Sequence, residues 1–388
     1  MQQGMLFHTL YNPQANLYFE QTALTIRGGL DGEAFAAAWA EVLARHPILR
    51  TAFYWEEMDK PLQVVHRQAQ LAWQEEDWRG LAPDGAAQAL DAFLLADQRA
   101  GFPLDQPPLM RFALLRFADD GYYFVWSHHH LLLDGWSVPL LLDEVFSFYA
   151  ALGKAGQDEE ARRLTQQKIR RRPRPRPYRE YILWLQQQDG AAAERYWREL
   201  LADISAPTPL SVLDVVRRQG TVKPGTAKPD TAKPDTGATG HFAEQTFSLS
   251  PEITGRLQAL ARRQRLTLNT LVQGAWSILL SRYSREETVV FGATVSGRPP
   301  ELQGAEGMVG LFINTLPVCV HAPGDAPLLP WLREILEAQL KREQYAHTPL
   351  VDIQGWSDLP PGSALFESIL VFENCPMDGA LSIQGIEI

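Results

Sequence analysis

The 388-residue sequence is poor in cysteine, in basic charge and in long apolar runs, and each shortage excludes a class of protein. Two cysteines, Cys319 and Cys375, are too few for a disulfide framework or a four-cysteine zinc site. The net charge of −10 disfavours general binding to nucleic acid or to anionic membranes. No apolar run is long enough to span a membrane, and the N-terminus lacks the basic and apolar regions of a signal peptide. We therefore expect a cytoplasmic protein.

Two segments interrupt an otherwise globular composition, and the length predicts about two domains. Arginine and proline alternate over residues 170–177, which predicts an extended, solvated linker because proline fixes φ and lacks an amide donor. A five-residue Lys-Pro repeat then occurs in three copies, and residues 221–240 are predicted to form a disordered surface insertion. The predicted organisation is a first lobe at 1–169, the linker, and a second lobe at 178–388.

Apolar patterns on both sides of the linker alternate between strand and helix, which predicts α/β lobes with mixed sheets. Strands are predicted at 18–26, 122–126, 244–249, 288–295, 310–320 and 365–372; helices are predicted to begin near residues 31, 138, 194, 251, 268 and 328.

The most informative stretch holds three consecutive histidines, His128, His129 and His130, at the end of an apolar strand. Asp134 and Gly135 follow shortly after. The residues alone leave three interpretations: a strand end with a turn, a zinc site, or general acid–base catalysis. Few other ligands are grouped nearby, which disfavours zinc. Imidazole titrates near neutrality, so it suits proton transfer, and no serine or cysteine here has the context of a covalent nucleophile.

Residues 129–135 fit the motif HHxxxDG, and the sequence resembles the condensation domains of nonribosomal peptide synthetases. HHxxxDG alone is shared with other acyltransferases of the chloramphenicol-acetyltransferase-like superfamily. Further segments are similar to condensation-domain motifs and occur in the same order. They are Arg45–Phe53 (RHxxLRTxF), Tyr178–Trp184, Val309–Thr315 (VGxFxNT), Gln344–Leu350 and Leu365–Asn374 (LFDSxxVFEN). The ordered set favours the condensation family within that superfamily.

The resemblance implies an α/β fold of two chloramphenicol-acetyltransferase-like sandwich lobes, each with a mixed sheet and helices. The lobes would form a V-shaped pseudo-dimer around a central tunnel. The implied reaction is acyltransfer: the α-amine of an aminoacyl thioester attacks the thioester of a peptidyl or aminoacyl donor. The domain would bind no cofactor of its own. Both substrates would arrive on 4′-phosphopantetheine arms of an upstream donor and a downstream acceptor carrier domain, beside an adenylation domain.

The resemblance also implies roles for individual residues. His130 is the expected catalytic residue, either accepting a proton from the attacking amine or hydrogen bonding to the tetrahedral intermediate. His129, Asp134 and Gly135 are expected to be structural, and Asp134 is expected to pair with Arg298 of the second lobe. The expected tunnel residues are Trp136, with core packing as its alternative, and Asn314, with an ordinary strand position as its alternative. No metal site is expected.

Short segments around Gln2–His8 and Asp134–Pro139 resemble the subclass that joins a D-configured donor to an L-configured acceptor. This implies an upstream epimerisation domain. Two rival functions remain: a superfamily acyltransferase acting on a free amine or alcohol, and a catalytically silent module that recruits carrier domains. The chain ends at Ile388, where condensation domains continue for several elements, so a fragment or a shortened protein with an incomplete second lobe is expected.

Overall fold

The computed structural model describes residues 1–12, 16–155, 158–210, 245–360 and 363–373, together with the backbone of 382–383 and 386–387. The predicted insertion at 221–240 and Cys375 lie outside the described residues. Within the described ranges, no helix is long and apolar enough to cross a membrane.

The described elements alternate between helices and strands along the chain. The helices are α1 (Gln2–Tyr11), α2 (Gly32–Arg45), α3 (Pro83–Ala100), α4 (Ser137–Ala155), α5 (Glu159–Arg170), α6 (Arg179–Leu185), α7 (Gly190–Leu201), α8 (Pro251–Gln264), α9 (Leu268–Ser284), α10 (Leu328–Glu343) and α11 (Leu350–Gly355). The strands are β1 (Phe19–Arg27), β2 (Thr51–Tyr54), β3 (Leu62–Val65), β4 (Trp73–Asp77), β5 (Met110–Ala118), β6 (Gly121–His129), β7 (Thr288–Val295), β8 (Asn314–His321), β9 (Ile369–Leu370), β10 (Ser382–Ile383) and β11 (Ile386–Glu387).

The first lobe is built on a six-stranded mixed sheet in the order β10-β11-β1-β6-β5-β4. The central strand β6 pairs antiparallel with β1 and β5, and β4 runs parallel to β5. One face of β6 packs on α2, where the rings of Trp39 and Trp126 lie 4.9 Å apart. On the other face, Val125 packs with Leu115 and with Phe93 of α3. The aromatic run at 122–126 is therefore covered on both faces, as its composition predicted.

The second lobe contains the three-stranded sheet β8-β7-β9. The predicted strand at 310–320 begins only at Asn314, since the preceding backbone bonds to the first lobe. The predicted strand at 244–249 is wrong for its described part, because residues 245–249 form no regular element and Phe247 is exposed. The predicted strand at 365–372 is reduced to β9. The segments at 310–313 and 365–372 are rich in apolar residues, but only backbone pairing makes an apolar run a strand.

The last described residues return to the first lobe, because Glu387 of β11 pairs with Arg27 of β1. The sequence-based division assigned all of 178–388 to the second lobe, whereas β10 and β11 extend the sheet of the first.

The connection between the lobes forms no helix or strand at 173–177. Its residues are held more firmly than a solvated linker would be. Arg45 of α2 donates a 2.7 Å hydrogen bond to the Pro173 carbonyl, and Arg176 donates to the Gln303 carbonyl of the second lobe. The connection is therefore fastened to both lobes.

Candidate active site

The motif histidines lie where β6 ends, and the loop that follows them is anchored in the core. The His130 amide donates to the Tyr18 carbonyl at 2.8 Å, which extends the pairing of β6 with β1 by one residue. Leu131, Leu132 and Leu133 are then fully buried before α4 begins at Ser137. A buried loop between a strand and a helix gives His130 a fixed main-chain position.

The ring of His130 is held in one tautomer by its own loop. Its Nδ1 lies 2.5 Å from the Leu133 carbonyl oxygen. A carbonyl only accepts hydrogen bonds, so Nδ1 carries the hydrogen in the neutral ring. The other nitrogen, Nε2, then keeps its lone pair, and His130 is only partly buried. The arrangement can accept a proton at Nε2 without breaking the bond to Leu133.

Each of the two preceding histidines has a pKa below the ordinary value of histidine. Burial, followed by the proximity of His130, lowers the pKa of His129 to about 4. Burial also lowers the pKa of His128 to about 3, and its Nδ1 has no hydrogen-bond partner among the described residues. Both rings are therefore neutral near pH 7, and they pack in the interior of the first lobe.

Asp134 joins the two lobes through a fully buried carboxylate. Its Oδ1 accepts hydrogen bonds from the Ser137 amide at 2.9 Å and the Ser137 hydroxyl at 2.7 Å. Arg298 Nη2 donates to the same oxygen at 3.0 Å, and the Phe312 amide donates to Oδ2 at 3.0 Å. The ion pair implied between Asp134 and Arg298 is thus present, with side-chain exposures of 0% and 9%.

Arg298 is itself fixed by the second lobe. Its Nη1 donates to the carbonyls of Ala305 and Met308 at 2.6 and 2.7 Å, and its guanidinium lies 4.1 Å from the Phe312 ring centre. The preceding Gly297 has φ +62°, and a Cβ there would lie 1.8 Å from the Phe312 carbonyl oxygen. The close approach of Arg298 to Asp134 therefore depends on glycine at 297.

Ser137 and Gly310 complete this interlobe junction, and the sequence-based predictions missed both. The Gly310 amide donates to the Ser137 hydroxyl at 3.1 Å, while the Asp134 amide donates to the Gly310 carbonyl at 3.1 Å. A Cβ at Gly310 would lie 2.1 Å from the Tyr178 ring. The available sequence signal was position: Ser137 follows the Asp134-Gly135-Trp136 turn, and Gly310 opens the VGxFxNT-like segment.

Two cavities lie beside the motif. The larger, about 790 Å³, is lined by both lobes, including α1, the start of α6 and residues 311–314. The smaller, about 520 Å³, is lined by residues of the first lobe, including Thr9, Tyr18, Phe102 and His129. His130 lines neither; the larger cavity adjoins the motif through Phe312, and the smaller through His129.

The remaining predicted site residues differ in what they contact. Gly135 is exposed, and a Cβ there would meet no heavy atom within 4 Å. Steric contacts within the chain therefore do not require glycine at this position. Trp136 is 41% exposed and lines neither of the two cavities. Asn314 lines the larger cavity, but its amide nitrogen donates to the carbonyls of Ala346 and Thr348 at 2.9 and 2.7 Å. That amide is committed to holding the 346–348 segment.

Comparison with known proteins assigns the chain to a family. The family model of the condensation domain matches residues 1–387. One of the linear gramicidin synthase proteins of Brevibacillus parabrevis is 44% identical over 377 residues, which cover 97% of this chain and 4% of that protein. Bacitracin synthase 3 of Bacillus licheniformis is 35% identical over 97% of this chain and 5% of its own length. Surfactin synthase subunit 3 of Bacillus subtilis (strain 168) is 33% identical over 100% of this chain and 28% of its own length. The chain thus spans a minor part of these relatives.

Solved structures give the same assignment for the fold. A variant of the starter condensation domain of rhizomide synthetase, in complex with C8-CoA and Leu-SNAC, superposes with a TM-score of 0.75 at 20% identity. The match covers 100% of this chain and 79% of that chain. The first condensation domain of the calcium-dependent antibiotic synthetase, bound to a substrate analogue, gives 0.69 at 18% identity, covering 100% and 81%. The predicted chloramphenicol-acetyltransferase-like fold of two lobes is confirmed, and this chain belongs to the condensation-domain family.

Proposed function

We propose that this chain forms amide bonds between two carrier-bound substrates in nonribosomal peptide synthesis. The observation that carries the proposal is the geometry of His130. Its Nδ1 is committed to the Leu133 carbonyl, so Nε2 remains available to accept a proton. The buried pair of Asp134 and Arg298 holds the adjoining loop against the second lobe.

In the proposed reaction, the α-amine of the acceptor attacks the thioester carbonyl carbon of the donor. The carbon–nitrogen bond forms as Nε2 of His130 takes a proton from the attacking nitrogen. The tetrahedral intermediate then breaks its carbon–sulfur bond, and the leaving thiolate gains a proton to give a free thiol. General-base catalysis typically contributes about 10²–10⁴ to a rate, and orientation of two tethered reactants contributes further. A residual rate without His130 is therefore expected.

The substrates in this proposal arrive on partner domains. An upstream carrier presents the donor and a downstream carrier presents the acceptor, each on a 4′-phosphopantetheine arm, with an adenylation domain adjacent. The matched relatives are named as synthases of linear gramicidin, bacitracin and surfactin, which supports this setting. The D-donor subclass, and with it an upstream epimerisation domain, remains part of the proposal.

The proposal is tested by mass spectrometry of intact carriers. A donor carrier loaded with L- or D-configured dipeptidyl thioester is mixed with an acceptor carrier bearing an L-aminoacyl thioester, using a small panel of side chains. We expect the peptidyl mass to move to the acceptor carrier and to move faster from the D donor.

Each alternative has its own outcome in the same assay. Equal turnover with a small free amine or alcohol, without the second carrier, would favour an acyltransferase for soluble acceptors. Carrier binding without transfer from any donor, in a folded sample, would favour a silent recruiting module. Faster transfer from L donors would contradict only the subclass.

A further inference from the structure

Thr9, on helix α1, contacts the first histidine of the motif. Its Oγ1 lies 3.4 Å from Nε2 of His129, and the same hydroxyl donates to the Met5 carbonyl at 2.9 Å. On the other side of the ring, the Leu131 amide donates to Nδ1 of His129 at 3.1 Å. His129 is therefore bracketed by α1 and by the loop that follows His130.

The directions of these hydrogen bonds determine the tautomer of His129. A backbone amide only donates, so Nδ1 must carry a lone pair and the neutral ring has its hydrogen on Nε2. That hydrogen needs an acceptor in a buried place. The Thr9 oxygen accepts it, because the hydroxyl hydrogen already points to the Met5 carbonyl. The chain of donors and acceptors is consistent only with this tautomer.

The tautomer matters because of where the Leu131 amide lies. This amide belongs to the peptide bond that joins His130 to Leu131. Its hydrogen bond to Nδ1 of His129 therefore spans the main chain of His130 and restricts it. The amide of His130 itself is held by the Tyr18 carbonyl. With both flanking peptide groups fixed, the His130 ring can keep its short bond to Leu133.

Helix α1 holds this loop at a second point. The Gln2 side-chain amide donates to the Leu131 carbonyl at 2.9 Å. Met5 and Leu6 of the same helix are buried in the core of the first lobe, so α1 stays docked when a single hydroxyl is removed. The contribution of Thr9 to the loop can thus be separated from its contribution to folding.

We propose that Thr9 is a positioning residue for the reaction: by accepting the Nε2 hydrogen of His129, it stabilises the tautomer whose Nδ1 accepts the Leu131 amide and so helps to orient the main chain of His130. The proposal rests on the proposed function for its catalytic consequence, and on the hydrogen-bond geometry alone for its effect on His129.

The test compares a variant that is isosteric with threonine but lacks the hydroxyl with a smaller variant that retains it. Thr9→Val removes the hydroxyl, and Thr9→Ser retains it. We expect Thr9→Val to lower kcat for carrier-to-carrier transfer about fivefold, with KM for both carriers unchanged, and Thr9→Ser to restore most of the rate. Thr25→Val, at an exposed threonine of β1, is the matched control and should behave as the wild type. Equal kcat in Thr9→Val and the wild type would overturn the proposal.

A second readout does not require activity. In protein labelled with ¹⁵N-histidine, the shifts of His129, assigned by its loss in His129→Gln, report which nitrogen bears hydrogen. The wild type and Thr9→Ser should show the Nε2-H tautomer of His129. Thr9→Val should show a mixture of the two tautomers or the Nδ1-H tautomer. If the His129 tautomer in Thr9→Val is the same as in the wild type, the role of Thr9 is overturned. If the wild type does not transfer the peptidyl group between carriers, the proposed function is overturned. The two failures are thus distinguishable.

Discussion

Replacing Asp134 with asparagine should destabilise the protein more than the small change in shape suggests. The described partners of the carboxylate are donors: the amide and hydroxyl of Ser137, Nη2 of Arg298 and the amide of Phe312. The NH₂ group of an asparagine would face a donor at either oxygen position. The substitution also leaves Arg298 buried without its counter-ion.

The size of the effect follows from this burial. Breaking a buried ion pair by removing one charge costs about 3–5 kcal/mol. Unfolding entropy near the midpoint is about 2.1 cal/mol/K per residue, so a chain of 388 residues has about 0.8 kcal/mol/K. If the lobes unfold as one unit, the Tm of Asp134→Asn should fall by about 4–6 °C. Scanning calorimetry measures both the shift and the cooperativity.

Two further variants distinguish the loss of this buried ion pair from a general effect of removing a charge. Asp119→Asn is the control, because it changes a surface carboxylate whose side chain is 89% exposed and which pairs with Arg79. The Tm of this variant should shift by less than about 1 °C. The double variant Asp134→Asn/Arg298→Met should recover part of the lost stability, because no buried guanidinium is left unpaired. An Asp134→Asn shift as small as that of Asp119→Asn would refute the structural importance of the pair.

Three other perturbations have defined outcomes. Gly297→Ala should lower the Tm by several degrees in the same calorimetry, because its Cβ would meet the Phe312 carbonyl oxygen at a positive φ; an unchanged Tm would contradict this. The pKa of His129 is lowered to about 4 and that of His128 to about 3, so the unfolded chain binds protons first as the pH falls from about 6.5. The free energy of unfolding in urea should therefore decrease from pH 6.5 to 4, and less so in His129→Gln; equal slopes would argue against buried neutral rings. Asn314→Leu should expose the 346–348 segment to faster hydrogen exchange, because both hydrogen bonds to it are lost, and unchanged exchange would contradict that role.

The sequence predicted the main residues of the site because the motif places most of them close together in the chain. HHxxxDG places His130 and Asp134 within five residues, and a matched motif was enough to pair Asp134 with Arg298. The elements α2, α4 and β6 were also predictable, since the apolar residues of the two helices repeat at helical spacing and residues 122–126 of β6 form a continuous apolar run.

What the sequence could not show depends on contacts between distant residues. The segment at 310–313 has strand composition, but its backbone bonds to Asp134 and Ser137 instead of to a neighbouring strand. The helix α1 has little amphipathic pattern, and its importance lies in contacts of Gln2 and Thr9 with residues more than a hundred positions away. The pairing of β11 with β1 joins residues at opposite ends of the chain. No local pattern encodes such partners.

The central claim is that Nε2 of His130 accepts the proton of the attacking amine. The most direct test is the single-turnover rate of transfer between loaded carriers for the wild type and His130→Ala, with equal Tm values establishing that both are folded. The account predicts a rate at least about tenfold lower in the variant, equivalent to about 1.4 kcal/mol of barrier. A variant rate within about twofold of the wild type, about 0.4 kcal/mol, would contradict it.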